Sequence, residues 1–187
     1  MSGWWLASYV VLWGLVVVLA LVVLALARQV GTLHLRLGPR GALEMDEEGP
    51  PLGEAPEPID ALDTGGRPVQ IAGPGTAQLL LFVSPGCPVC REVLPSLPAV
   101  ARTGLMAPVV VSDGDGSEAT LPGRLDAPVV AGPDIARGFG IPGTPYAVVL
   151  DGLGVVRAKG TVNNLEQMEG LVDTARRRLT EAAGERP

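Results

Sequence analysis

The only two cysteines of the chain form the motif Cys87-Pro88-Val89-Cys90. A short apolar run, residues 78–83, precedes the motif, and a helical pattern follows it, so Cys87 is predicted to lie at the start of a helix. Free backbone N–H groups and the positive end of the helix dipole meet at that position, and both lower the pKa of a thiol. A second thiol one turn further on can attack a mixed disulfide formed by the first. The motif therefore predicts thiol–disulfide exchange.

Metal binding and structural cross-linking are the alternative interpretations of the cysteine pair. A zinc site needs about four ligands. The chain offers two cysteines and one histidine, His34, which lies far upstream beside an apolar segment, so we expect no metal site. A disulfide between residues this close in sequence encloses too small a loop to add much stability.

The strand- and helix-forming patterns around the motif follow one another as they do in an α/β domain. We predict a buried strand over residues 79–83 and a helix over residues 88–102, in which Pro95 introduces a kink and Pro98 marks an early end. Further elements are predicted as two short extended pieces around Gly65 and Gly66, strands at 107–112 and 128–131, a weak helix or loop at 113–123, and a short helix at 134–139.

The second half of the domain contains a proline that directly precedes an apolar strand. Pro145 follows Thr144 in this position, which makes the bond between them a candidate cis peptide. A hairpin turn is predicted at residues 151–154, and the last helix is expected to start at Asn163 or Asn164, since both are good N-caps. The apolar residues of that helix fall on one face and predict core packing.

An uncharged apolar stretch, residues 4–27, is long enough to cross a bilayer as one helix. A cleaved signal peptide is the main alternative, but no Lys or Arg precedes the stretch and no clear small-residue cleavage site follows it. A buried core helix is disfavoured because the stretch is apolar on every side. We therefore predict a single-pass membrane anchor. Arg28, Arg36 and Arg40 follow it, and by the positive-inside rule they favour a cytoplasmic location for the domain.

Four regions are predicted from these patterns. They are a transmembrane anchor (1–27), a juxtamembrane segment with a Pro/Gly/acidic linker (28–60), an α/β domain (61–181) and a tail (182–187). The linker is expected to be semi-extended because it is rich in proline. The net charge of −6 argues against nucleic acid as a partner.

The order strand, Cys-x-x-Cys helix, strand, helix, Thr-Pro, hairpin and helix resembles the thioredoxin fold. More narrowly, the chain resembles the MauD family of methylamine utilisation proteins, which are membrane-anchored and thioredoxin-like. That resemblance rests on the segments 26–34, 37–43 and 84–90, of which the anchor-to-linker part is the most discriminating. It implies an α/β fold with a central mixed β-sheet flanked by helices, behind a single N-terminal transmembrane helix.

The resemblance also implies roles for individual residues. Cys87 would be the attacking thiol and Cys90 the buried resolving thiol, with Pro88 and Val89 between them in the active-site loop. Thr144 and Pro145 would form the cis-proline loop that binds the substrate backbone. The redox group would be the Cys87–Cys90 disulfide, with no further cofactor.

The activity implied is formation or isomerisation of disulfides in the small (beta) subunit of methylamine dehydrogenase, outside the cytoplasm, with a membrane redox partner. A general extracytoplasmic reductase, as in cytochrome c maturation, and a non-catalytic membrane-tethered chaperone are the alternatives. The sequence departs from the wider thioredoxin pattern at two positions. Leu81 and Val93 stand where relatives carry an acid, and Glu92 is expected to point elsewhere on the helix.

Overall fold

The computed structural model describes residues 3–36, 48–114 and 125–184. The chain divides into two compact units, residues 1–38 and 39–187. The first unit contains one long helix, α1 (Gly3–Arg36). Its Gly3–Leu24 part has a mean hydropathy of 2.7 and is long and apolar enough to span a membrane. This candidate span coincides with most of the predicted anchor.

The second unit is built on a mixed five-stranded β-sheet within the described residues. Its strands are β3 (Gln78–Val83), β4 (Ala107–Ser112), β5 (Val129–Ala131), β6 (Tyr146–Leu150) and β7 (Val156–Thr161). Their order across the sheet is β5-β4-β3-β6-β7. The pairs β3–β4 and β4–β5 are parallel, whereas β6 is antiparallel to both β3 and β7. The central strand β3 is apolar and fully buried over residues 79–83, as expected for a strand that is covered on both faces. The predicted thioredoxin-like sheet is confirmed.

A separate two-stranded hairpin precedes the sheet, formed by β1 (Ile59–Leu62) and β2 (Pro68–Ile71). The Gly-Gly turn between them was predicted. The carboxylate of Asp63 accepts hydrogen bonds from the N–H groups of Gly65 and Arg67, which closes the turn. The N–H of Thr64 donates to the carbonyl of Val129 and so fastens the hairpin to the edge strand β5.

The predicted helix over 88–102 consists of three parts. Helix α2 (Pro88–Val93) leads into a 3-10 turn (Leu94–Ser96) and then into α3 (Leu97–Ala101). The change of helix type at Pro95 confirms the predicted kink, since proline has no N–H to donate to the preceding turn. The prediction that Pro98 ends the helix early was wrong. Pro98 lies in the first turn of α3, where a missing N–H carries no cost.

The remaining helices are α4 (Pro133–Gly138) and α5 (Leu165–Gly184). The side chain of Asn164 accepts a hydrogen bond from the N–H of Gln167, which confirms the predicted N-cap of α5. Five of the six apolar residues predicted on the core face of α5 pack in or against one of two core clusters, and Met168 and Ala175 are fully buried there. The sixth, Leu179, is only partly buried and lies outside the cluster. Most of the segment predicted as a weak helix or loop, from residue 115 on, lies outside the described residues.

Part of the predicted linker is packed onto the domain. The N–H of Gly53 donates to the carbonyl of Val156, and the N–H of Val156 donates to the carbonyl of Glu54, each over 2.9 Å. Pro50 is buried. Residues 48–54, called the connecting segment below, therefore cover the edge strand β7 near Val156.

Candidate active site

Cys87 and Cys90 form a disulfide, with their Cα atoms 5.3 Å apart. Cys87 is the N-cap residue of α2, as its place between strand and helix predicted. The turn that leads from β3 into α2 is closed by a hydrogen bond from the N–H of Cys87 to the carbonyl of Ser84. The sulfur of Cys87 is thus presented at the carboxyl end of the central strand.

The backbone around Cys87 suits a negatively charged sulfur. The N–H of Cys90 points at the Cys87 Sγ atom over 3.1 Å. Pro88 fills the first helical position, where its fixed backbone angle starts the helix. A thiolate released at Cys87 by reduction would meet this donor and the positive end of the helix, an environment that stabilises a thiolate.

The two sulfurs differ in access. Cys87 and Val89 are partly exposed and Pro88 is exposed, whereas Cys90 is only 1% exposed and belongs to an apolar cluster. That cluster also contains Leu81 and Val93, the two positions where an acid was missing from the sequence pattern. Of the two cysteines, Cys87 is therefore the accessible one and Cys90 the enclosed one.

A second loop faces the disulfide. The Thr144–Pro145 peptide bond is cis, as the sequence suggested. The carbonyl oxygen of Thr144 lies 3.8 Å from the Cys87 sulfur. The carbonyl of Pro145 accepts a hydrogen bond from the N–H of Val162, which follows β7, so the loop is tied to the sheet. The structure therefore brings together the six predicted site residues; their roles in exchange remain predictions.

The turn before Cys87 contains a contact that the sequence analysis missed. The hydroxyl of Ser84 donates a short hydrogen bond to the carboxylate of Asp113. These residues directly follow β3 and β4, and the N–H of Asp113 donates to the carbonyl of Val83. The signal in the sequence was that each of two predicted strands is directly followed by a polar residue, because the carboxyl ends of parallel neighbours meet at one edge of the sheet.

The buried acids of the described residues are Asp63 and Asp151, and both lie in hairpin turns. Hydrogen bonds from the backbone and side chain of Arg67 hold the pKa of Asp63 below its ordinary value. Burial raises the pKa of Asp151, but hydrogen bonds from the N–H groups of Val155 and Leu153 and from the side chain of Arg157 outweigh it and lower the pKa overall. Asp151 lies beyond the end of β6 opposite to Pro145, so it is not a proton acceptor for Cys90.

Metal ligands do not gather at the site. Within the ranges described above, no three His, Cys, Asp or Glu residues are close enough together to hold an ion.

Comparison with solved structures identifies the class of protein to which the domain belongs. The pneumococcal exposed lipoprotein thioredoxin Etrx1 of Streptococcus pneumoniae matches with a TM-score of 0.55 and 14% identity, over 65% of this chain and 99% of its own. The peroxidoxin BcpB of Mycobacterium tuberculosis matches with a TM-score of 0.57 and 16% identity, over 70% and 98%. With the Cys-x-x-Cys disulfide and the cis-proline loop, these matches define the domain as thioredoxin-like.

Relatives of higher identity narrow the class to one family. The methylamine utilization protein MauD of Methylobacillus flagellatus is 37% identical over 94% of this chain and 88% of its own. MauD of Paracoccus denitrificans is 36% identical over 94% and 91%. No protein-family model matches the chain. The chain belongs to the MauD family.

Proposed function

We propose that this protein is a membrane-anchored thiol–disulfide oxidoreductase whose only redox group is the Cys87–Cys90 disulfide. The observation that carries the proposal is the unequal exposure of the two sulfurs at a helix N-terminus. Cys87 is reachable and Cys90 is 1% exposed. Exchange requires one sulfur that a client attacks and a second that only its partner reaches.

Oxidation of a client proceeds in two substitutions at sulfur. A client thiolate attacks the Cys87 sulfur, the Cys87–Cys90 bond breaks, and Cys90 leaves as a thiolate. A second client thiolate then attacks the client sulfur of the mixed disulfide, which forms the client disulfide and releases Cys87 as a thiolate. Two electrons have moved to the cysteine pair, and a membrane redox partner must accept them before the next cycle. In isomerisation, reduced Cys87 attacks a client disulfide and leaves again, with no net electron transfer.

The client we propose is the small (beta) subunit of methylamine dehydrogenase. The support is membership of a family whose members are named methylamine utilization proteins. The family resemblance described above implies disulfide formation in that subunit. Stable disulfides form in oxidising compartments, so we place the domain on the extracytoplasmic side of the membrane. Arg28, Arg36 and Arg40 favour the opposite orientation, and the topology therefore needs its own measurement.

Trapping of the mixed disulfide tests the client. In a Cys90→Ser variant, reduced Cys87 can attack a client disulfide but no second sulfur resolves the product. We expect the small subunit to be recovered on Cys90→Ser, in a reductant-sensitive adduct identified by mass spectrometry. Cys87→Ser is the matched control, since it has the same number of thiols and lacks the accessible one.

The alternatives give different results with the same two variants, compared by trapping and by disulfide formation in the client. A general reductase predicts that apocytochrome c or other clients are trapped in place of the small subunit. A non-catalytic chaperone predicts that Cys87→Ser still supports normal disulfide formation in the small subunit. Either result overturns the proposed function.

Topology is tested with a membrane-impermeant maleimide. After mild reduction, Cys87 is expected to react in intact spheroplasts as fully as in lysed ones. Reaction only after lysis would place the domain in the cytoplasm, where the three arginines direct it.

A further inference from the structure

Tyr146 links the connecting segment to the active site. It is the first residue of β6 and directly follows the cis-proline Pro145, and it is 1% exposed. Its hydroxyl donates a hydrogen bond of 3.1 Å to the carbonyl of Glu48 in the connecting segment. A residue adjacent to the catalytic loop thus contacts the stretch that leads back to the membrane anchor.

Gly49 shows how closely the segment approaches the ring. Its φ angle is +74°, and a Cβ atom at this position would lie 2.8 Å from the Tyr146 hydroxyl and 3.2 Å from two ring carbons. Real Cβ atoms do not make contacts as short as 2.8 Å, so only glycine fits here without displacement of a neighbour. Gly53, in the same segment, has a φ angle of +79° and nothing within 4 Å of the corresponding position.

The connecting segment is also fixed at a second point. Gly53 and Glu54 are hydrogen-bonded to Val156 on β7, and Leu52 packs against the core cluster that contains Tyr146 and Val156. The stretch that carries the Glu48 carbonyl is therefore fixed to the fold on the C-terminal side of Gly49. A carbonyl on a stretch that is fixed in this way can resist movement of the ring that it touches.

On its other side, Tyr146 meets the elements that carry the disulfide. It pairs with Phe82 on β3, two residues before the active-site turn. Through Pro145 it is joined to Thr144, whose carbonyl lies 3.8 Å from the Cys87 sulfur. A displacement of the Tyr146 ring would be passed on to this carbonyl through one residue.

We propose that the connecting segment, acting through Tyr146, positions the Thr144–Pro145 loop against Cys87 for client exchange. Glu48, Gly49 and Tyr146 are positioning residues, since none of them touches the sulfurs. The proposal rests on the function proposed above, because it concerns the loop predicted to bind the client backbone. An extended client gains main-chain hydrogen bonds at such a loop, whereas a small disulfide without amide groups does not.

Two variants of the full-length protein in lipid nanodiscs break the link in different ways. Gly49→Ala forces the ring and the segment apart, and Tyr146→Phe removes the donor while keeping the ring. Gly53→Ala is the matched control, because it imposes a similar left-handed strain without the contact. The double variant Gly49→Ala/Tyr146→Phe relieves the shortest overlap and tests whether the two changes act on one contact.

The rates to compare are those of the reduced protein with a disulfide-bonded peptide and with bis(2-hydroxyethyl) disulfide. We expect Gly49→Ala and Tyr146→Phe to slow the peptide reaction roughly three- to tenfold, the range set by one neutral hydrogen bond. The small disulfide should react at the wild-type rate in both variants, and Gly53→Ala should match wild type with both probes. The double variant should be no slower than the slower single variant.

Four results overturn the inference. The first is an equal rate of the peptide reaction for Gly49→Ala and Gly53→Ala, and the second is slowing of that reaction in only one of the two test variants. The third is a double variant in which the two losses of rate multiply. The fourth is equal slowing with the peptide and with the small disulfide. Equal slowing would mean that the contact serves stability alone. A wild-type protein that reacts with neither probe would refute the proposed function, and the inference with it. Because that result needs no variant, it is distinguished from failure of the inference alone.

Discussion

The hydroxyl of Ser84 and the carboxylate of Asp113 are joined by a hydrogen bond at the carboxyl ends of β3 and β4. Ser84 also supplies the carbonyl that accepts the N–H of Cys87. One residue of the active-site turn is therefore bound both to the reactive cysteine and to an acid. This places a carboxylate beside the turn that carries Cys87, where it would disfavour a thiolate at that sulfur.

Neutralising Asp113 should make the cysteine pair more oxidising. Asp113→Asn keeps an oxygen that can accept the Ser84 hydroxyl and removes the charge that disfavours a thiolate at Cys87. Because Asp113 is solvent-exposed, water screens most of the effect, and we expect the reduced form to gain roughly twofold in the equilibrium with glutathione. The measurement is the fraction of reduced protein across glutathione buffers of defined ratio.

Ser84→Ala separates charge from geometry. It removes the hydroxyl and leaves the charge of Asp113 in place, so it should not reproduce the shift toward the reduced form. A more reducing or unchanged Asp113→Asn protein would contradict the electrostatic account.

The sequence was sufficient for the parts of the site that depend on local patterns. The strand before Cys87, the turn and the helix are consecutive in the chain, so their order predicts the place of Cys87 directly. Pro98 shows the limit of local rules. A proline disfavours the interior of a helix, but the turn at Pro95 starts a new helix whose first turn accommodates Pro98.

The contacts that were missed join residues far apart in the chain. Tyr146 and Glu48 are 98 positions apart, and Ser84 and Asp113 are 29 apart. The proline-rich composition predicted a semi-extended linker, because proline content indicates how stiff a segment is. It does not indicate which residues the segment contacts. Which carbonyl meets Tyr146 depends on the register of β6 and on the path of the segment past β7, and neither is encoded locally.

Reduced Cys87 should react with iodoacetamide at least roughly tenfold faster than reduced Cys90. Cys87 is accessible and its sulfur faces the Cys90 N–H, whereas Cys90 is enclosed by apolar side chains. The rates are obtained from single-cysteine variants, with Cys90→Ser reporting Cys87 and Cys87→Ser reporting Cys90. Unfolded samples of both variants provide the control, because the two thiols should then react alike. Faster labelling of Cys90 would reverse the assigned roles.

The hairpin between β6 and β7 should lose stability in acid. Asp151 accepts two bonds of 2.8 Å from the Arg157 guanidinium. The pKa of Asp151 in the folded protein lies below its ordinary value of 3.8, so its contribution is complete above that pH and is lost as the pH falls through the folded pKa. Urea unfolding followed by circular dichroism across acidic pH measures this loss. Tryptophan fluorescence is unsuitable, because all three tryptophans precede residue 14.

Asp151→Asn should remove the Asp151 part of this pH dependence, leave the part that comes from Asp63, and cost about 1–3 kcal/mol at neutral pH, because Arg157 is only 17% exposed and loses its charged partner. The matched control is Asp134→Asn. Asp134 pairs with Arg137 on the surface of α4, and such exposed pairs contribute less than about 1 kcal/mol. Equal losses in the two variants would show that the buried pair has no special role.

Two glycines in hairpin turns separate backbone strain from steric overlap. Gly154 and Gly66 have φ angles of +79° and +77°, so alanine at either position costs about 1–2 kcal/mol from the left-handed conformation alone. A Cβ atom on Gly154 would also lie 2.8 Å from the backbone nitrogen of Gly73, whereas nothing lies within 4 Å at Gly66. Because backbone atoms cannot move aside as a side chain can, Gly154→Ala should destabilise the domain by at least about 1 kcal/mol more than Gly66→Ala. Urea midpoints of the two variants measure the difference, and equal midpoints would mean that the loop containing Gly73 yields to the added methyl group.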